Sequence, residues 1–153
     1  MRQETRDGSG NHVDAVIIVP PVVSVRDSDA NDSNKAWTVP DNALWKITRA
    51  CVGLVTSATV GNRVFTLQEE DADGNILQKI VSGNVQAASS TVSYCCMQGI
   101  FRETSVVNGS IQVPIPEDFF IPGGHVVRFW DSAAIDAARD DMTVNFQYMK
   151  MLV

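Results

Sequence analysis

From Met142 to Leu152 the chain alternates: Met142, Val144, Phe146, Tyr148 and Leu152 fall on one side of an extended backbone, with mostly polar residues between them. A period of two suits a strand that is half buried and no helix. Shorter segments share the pattern, and Gly, Pro, Asn and Asp punctuate the gaps. Leu44–Val55 is the longest predicted strand. Val64–Glu70 sets Phe65 and Leu67 against Thr66 and Gln68, Asp73-Gly74 predicts a hairpin, and Ile76–Val81 returns. Thr91–Gln98 places Val92, Tyr94 and Cys96 on one face. Ser110–Ile115 and His125–Trp130 complete the set, separated by a corner in which Phe119, Phe120 and Ile121 plug the core before Pro122-Gly123-Gly124 turns the chain. About seven to nine short strands predict an all-β fold. The expected form is an antiparallel β-sandwich, jelly-roll or Greek-key like.

The expected division is an N-terminal extended arm with an edge strand, residues 1–25, and a single sandwich domain, residues 26–153. Residues 1–12 are polar and aperiodic. Pro20-Pro21 interrupts the apolar run Ala15–Val25 and removes two ladder donors, which predicts an edge or a crossing between sheets. Residues 26–36 read as a polar loop, and 131–142 as a polar loop or a turn or two of helix. In Leu44–Val55 the odd positions Trp45, Ile47, Arg49, Cys51, Gly53 and Val55 share one face. Both faces grow apolar toward Val55, which predicts cover on both sides.

Composition narrows the function. A net charge of −6, with twelve Lys and Arg scattered along the chain, opposes a phosphate-backbone binder, so no nucleic-acid partner is expected. No apolar run approaches the ~18 residues of a membrane span. The polar first residues lack the apolar core of a secretion signal, which points to assembly in a cytoplasm. Of three cysteines, Cys95 and Cys96 are neighbours whose side chains take opposite faces of a strand. Cys51 pairs with one of them only if their strands are adjacent; free, buried thiols are the expectation.

Chemistry-bearing motifs are sparse. Asp27–Asp32 opens like a calcium-binding loop, but Asp32 stands where that loop needs glycine and Thr38 where it needs a bidentate glutamate. Glu69, Glu70, Asp71 and Asp73 cluster at the hairpin tip, making Asp71 and Asp73 the candidate metal ligands. Turn chemistry alone also accounts for such a cluster. Glu117-Asp118 and Asp140-Asp141 read as solvated strand ends, His125 as structural. No cofactor and no enzyme activity are expected, since no nucleophile elbow, zinc-protease helix or phosphate loop occurs. Trp37, Trp45 and Trp130 could line a sugar platform, though tryptophan on a strand is commonly core, and alternation with Ile47 favours core for Trp45. Arg49, mid-strand, must be paired if buried or else face a partner. Arg63, in the turn after Gly61-Asn62, could bridge a backbone carbonyl. The candidate partner-binding residues are Val16, Ile17, Ile18, Val19, Arg49, Arg63 and Trp130.

Several of these motifs occur together. Trp45 leads a strand into Thr56-Ser57-Ala58-Thr59-Val60-Gly61-Asn62-Arg63. Then come Asp73-Gly74-Asn75, Gln86-Ala87-Ala88-Ser89 and the corner Phe119-Phe120-Ile121-Pro122-Gly123. Over roughly residues 36–152 this resembles a family of small tailed-bacteriophage virion proteins. The resemblance implies a β-sandwich without enzyme activity, of the capsid decoration (cement) type. Its expected place is the outer head surface, its partners the major capsid protein and copies of itself, as a trimer or other oligomer. A tail, neck or head-fibre component with a receptor- or carbohydrate-binding role is the alternative. The arm and residues 131–142 lie outside the matched motifs.

Overall fold

The computed structural model describes residues 19–152, together with the backbone of two N-terminal strands, β1 (Gln3–Arg6) and β2 (His12–Ala15). Val16, Ile17 and Ile18 lie outside the described residues. The arm is not extended throughout: β1 and β2 pair antiparallel, Gln3 opposite Ala15.

Ten further strands build two sheets: β3 (Val22–Asp27), β4 (Asn34–Thr38), β5 (Ala43–Val55), β6 (Phe65–Glu70), β7 (Ile76–Val81), β8 (Thr91–Met97), β9 (Ser110–Pro114), β10 (Phe120–Ile121), β11 (Val126–Asp131) and β12 (Asp141–Leu152). The protein is all-β, and the two sheets pack as a sandwich. One sheet runs β3-β12-β5-β8-β9, with β10 also on β5; the other runs β4-β11-β6-β7.

The pairing is nested. β3 meets β12, β4 meets β11, β5 meets β10, and β6 and β7 form the innermost hairpin. This is the wiring of a jelly roll. Strands β8 and β9 are an insertion into it. β8 takes the second half of β5, beyond the two residues that β10 pairs. β9 lies parallel to β8, the one parallel pair among the described strands. Parallel neighbours need a crossover of about a dozen residues, and segment 98–109 supplies it.

A β-bulge explains how β5 serves one core along its whole length. Gln147 lies opposite Arg49 but Tyr148 opposite Ile47, so Thr48 is an extra residue. Its Oγ1 donates to the Gln147 carbonyl at 3.1 Å. One inserted residue reverses the phase of every later side chain. Ala43, Trp45 and Ile47 are buried before the bulge, and Ala50, Val52 and Leu54 after it. Strict alternation through Arg49 therefore fails, as does the expectation of cover on both faces: Arg49, Cys51 and Val55 are exposed.

Phe146 on β12 joins the sheets. Its ring lies 4.9 Å from Trp37 on β4, 5.4 Å from Phe129 on β11 and 5.9 Å from Tyr148 on its own strand. Leu152, expected beside it, is 74% exposed, because the sandwich ends before the strand does. Phe119 and Ile121 are fully buried. Phe120 turns out, beneath the Lys46 ammonium. In the corner that follows, Gly123 passes so close to Asp41 that a Cβ would sit 2.4 Å from its carbonyl oxygen. Only glycine allows that approach.

The polar loop expected over residues 26–36 contains β4. Its inward positions are Trp37 and Lys35; Lys35 is 5% exposed, and its ammonium is bound by the Asp29 carbonyl at 3.0 Å, Asp27 Oδ2 at 3.3 Å and Asn31 Oδ1. The stretch that opens like a calcium loop thus wraps the chain's own cation. Residues 132–140 form a loop and no helix.

Candidate functional site

Apart from the two-residue β10, which pairs only with β5, four strands border the two sheets, and three of these carry a device that blocks further pairing. Unpaired strand edges invite association, and proteins blunt them with bulges, inward charges or covering loops. On β4 the device is Lys35, pointing inward. On β7 it is a bulge: Glu69 lies opposite Gln78 but Glu70 opposite Ile76, leaving Leu77 extra, with Lys79 exposed beyond it. On β9 the crossover loop does the work. Gln112 donates its N–H to Glu103 Oε2 at 2.7 Å, and its carbonyl accepts the Glu103 N–H at 3.2 Å.

β3 differs. Its sequence is Val22-Val23-Ser24-Val25-Arg26-Asp27. It pairs in regular register with β12, and among the described residues nothing pairs with its other side. Val23 and Val25 pack against the core, while Val22 is 59% exposed and Val19, just before it, 72%. The strand is six residues long, valine-rich and without a bulge; charge enters only at its far end. Among the described residues it is the undefended long border of the sandwich.

Beside it, the outer face of the six-stranded sheet is hollow. Gly53, Ser93, Thr143 and Asn145 line a depression of about 570 Å³ that reaches Arg26 and Asp27 on β3. A second hollow of about 270 Å³ continues it past Arg49, Cys51, Cys95 and Gln147. Small side chains on strands β5, β8 and β12 create this concavity.

The opposite outer face, on the four-stranded sheet, is a closed polar ladder. Arg128 donates Nη1 to Asn34 Oδ1 at 2.7 Å and grips Glu70 with Nε at 2.7 Å and Nη2 at 2.9 Å. Gln68 donates to Glu70 and accepts from Trp130 Nε1 at 3.0 Å. The Arg128 guanidinium holds the Glu70 carboxyl below the usual carboxylate range against the opposing push of burial.

Arg63 is a correction. It is fully buried and all five of its donors are used, so it cannot meet a partner. Nε and Nη2 clasp Asp140 at 2.8 and 3.0 Å; Nη1 reaches the Thr59 and Gly61 carbonyls, each at 2.7 Å; Nη2 also donates to Ser57 Oγ at 3.0 Å. Burial alone would raise the Asp140 carboxyl; the Arg63 guanidinium and the Ser57 N–H outweigh it and hold the carboxyl below its ordinary range. Arg63 also exchanges backbone bonds with Gln86 at 2.8 and 2.9 Å. Gln86 in turn donates to the Leu54 carbonyl and accepts from the Tyr94 hydroxyl at 3.0 Å. The motifs around residues 56–63 and 86–89 are therefore two halves of one latch at an end of the sandwich.

The other sequence candidates are not brought together. Arg49 is exposed on the hollow face, its Nε bonded to Gln147 Oε1 at 2.8 Å. Trp130 is half-buried on the opposite face. Trp37 is no platform: its ring packs edge-on against Phe129 and Phe146. Asp71 spends its oxygens on the turn, accepting the N–H groups of Asp73 and Asn75 at 3.0 and 2.8 Å and the Asn75 side chain at 2.9 Å. These bonds, the Asn75 side chain foremost, lower its pKa. Asp71→Ala should lower the melting temperature by loosening the hairpin tip, while Asp73→Asn leaves it unchanged. Differential scanning calorimetry should show both results unaltered by millimolar calcium; a calcium-dependent rise in the parent protein would restore the metal reading. The edge expected around Pro20-Pro21 is present as β3, which begins at Val22 and runs past the predicted boundary at residue 25 to Asp27; that the other borders are protected has no local signal in the sequence.

Comparison with protein-family models, with curated proteins and with solved structures returned no match. Among the described residues no helix is long and apolar enough to cross a membrane.

Proposed function

We propose that this chain is a non-enzymatic bacteriophage virion protein of the capsid decoration type, which binds the outer head surface and bridges capsid subunits. The observation that carries this reading is the undefended β3 border. A strand from a neighbouring subunit adds to such an edge by main-chain hydrogen bonds, with alternate side chains setting specificity. The mechanism is mechanical. Each copy adds buried surface where neighbouring capsid subunits meet, and stable contacts of this kind bury ~1,600 Å². Repetition over a symmetric shell converts modest contacts into avidity. The jelly roll is an architecture used by capsid proteins and also by lectins and enzymes. The weight therefore rests on the border and on the sequence resemblance, not on the fold.

Paired charges at the border test the reading. Val22→Lys with Ser24→Lys places two ammonium groups on exposed positions, where substitutions change stability by no more than about 0.5 kcal/mol. Co-sedimentation with tailed-phage heads lacking the protein should show at least tenfold weaker binding, with an unchanged melting temperature. Undiminished binding would remove the border from the contact. Failure of the parent protein to sediment with heads, together with labelling at the tail, would favour the tail or fibre role.

A further inference from the structure

The three cysteines divide two against one. Cys51 on β5 and Cys95 on β8 lie directly opposite each other in the ladder, so their side chains share one face. That face is the outer one: Cys51 is exposed, Cys95 half-buried, and both line the smaller hollow. Cys96, the next residue, points into the core and is fully buried. The expectation of buried thiols thus holds for Cys96 alone.

From this juxtaposition we infer that Cys51 and Cys95 form a redox-responsive pair, open as two thiols under reducing conditions and closed by a small disulfide oxidant to a cross-strand disulfide. Directly opposed residues of antiparallel strands have Cα atoms about 4.5–5.5 Å apart. A disulfide spans about 4.4–6.8 Å. The Cα separation of such a pair therefore lies within disulfide reach. The thiols already interact: burial first, and then the neighbouring Cys51, raise the pKa of Cys95. The order of events follows from exposure, since Cys51 is the more open of the two. The Cys51 thiolate attacks one sulfur of the oxidant, for instance oxidised glutathione, forming a mixed disulfide and releasing one glutathione thiolate. The Cys95 thiolate then attacks the Cys51 sulfur, forming the protein disulfide and releasing the second glutathione thiolate. Two cysteine thiols are oxidised and one glutathione disulfide is reduced. Cys96, buried and with its pKa raised by burial, takes no part.

The product staples β8, which carries the β9 insertion, to β5 at the centre of the sheet. A protein assembled in a reducing compartment and later released into an oxidising one would harden in this way after folding. The inference itself rests on the pair and not on the virion reading, and it is tested on the isolated protein.

The full chain is incubated with oxidised glutathione, the remaining thiols are alkylated under denaturing conditions, and the peptides are mapped by mass spectrometry. The expected result is a monomer that has lost two hydrogens, a Cys51–Cys95 linked peptide and an alkylated Cys96. The oxidised form should melt higher than the reduced form by about 5 °C or more, reversibly with reductant. The rise should vanish in Cys51→Ser, an exposed substitution that leaves the core untouched, and persist in Cys96→Ala. A lasting glutathione adduct on Cys51, a disulfide-linked dimer, or linkage through Cys96 would overturn the pairing. A linked peptide without thermal gain would overturn the staple.

Discussion

Arg63→Ala should lower the free energy of unfolding by about 3–5 kcal/mol, the usual cost of stranding one partner of a buried ion pair. The size follows from the surroundings. Asp140 is fully buried and would keep Ser57, through its N–H and its side chain, as the partner that favours its charged form. The Thr59 and Gly61 carbonyls would lose their donor as well. At this chain length each kcal/mol is worth roughly 2–4 °C in melting temperature, so thermal denaturation should shift down by about 10 °C. Arg63→Lys should recover little, because one ammonium cannot replace a five-donor fork. The double replacement Arg63→Met with Asp140→Leu should cost clearly less than Arg63→Ala, since it leaves no stranded charge. Equal losses would mean that packing, and not the ion pair, sets the stability of this end.

The same latch gives the stability an acid limb. The folded-state pKa values of Asp140 and Glu70 are lowered by Arg63 and Arg128. Their contribution is complete above the ordinary unfolded range of about 4 and is lost as pH falls through the depressed folded values. In Arg63→Ala the Asp140 share of that limb should disappear, which urea titrations across the acid range would read directly.

Phe146→Ala is the second large effect, at about 3–5 kcal/mol. Phe146 is fully buried and touches Trp37, Trp45, Phe129 and Tyr148, drawn from both sheets. Removing its ring leaves a cavity walled by rigid aromatic groups held on strand backbones, which collapse poorly. Phe146→Leu should cost much less. Phe101, 89% exposed on the crossover loop, is the control: Phe101→Ala should stay within about 0.5 kcal/mol. Chemical denaturation of the three variants separates core from surface. A Phe146→Ala loss no larger than the Phe101→Ala loss would mean that the sheets do not meet where described.

Much of this arrangement was legible in the residues. Period-two apolar faces marked β8, β11 and β12, each with one wetter and one drier side; β6 alternates in sequence but is buried along both faces, and β7 was legible from the Asp73-Gly74 turn before it. Strand β4 was not legible, since only Trp37 of its two inward residues is apolar and the other is Lys35, whose charge is satisfied by the loop before it. The phase reversal in β5 was hidden because a bulge leaves no signature when Thr48 is as good a strand residue as its neighbours. The backbone bridge expected of Arg63 is present at the Thr59 and Gly61 carbonyls; its burial had no local signal, because its acid partner, Asp140, lies 77 residues away. Pro20-Pro21 marked an edge beside β3, but nested pairing has no local signal: it arises only when the last strands, β11 and β12, slot between earlier ones. Such long-range closure must precede most of the stabilising contact.

The most direct test is an image. Electron cryo-microscopy of tailed-phage heads, with and without this protein bound, should show added density on the outer shell, seated across capsid-subunit junctions with β3 continuing into a neighbour's strand. Density confined to the tail, or a seated protein whose β3 faces solvent, would contradict the adhesive-border account.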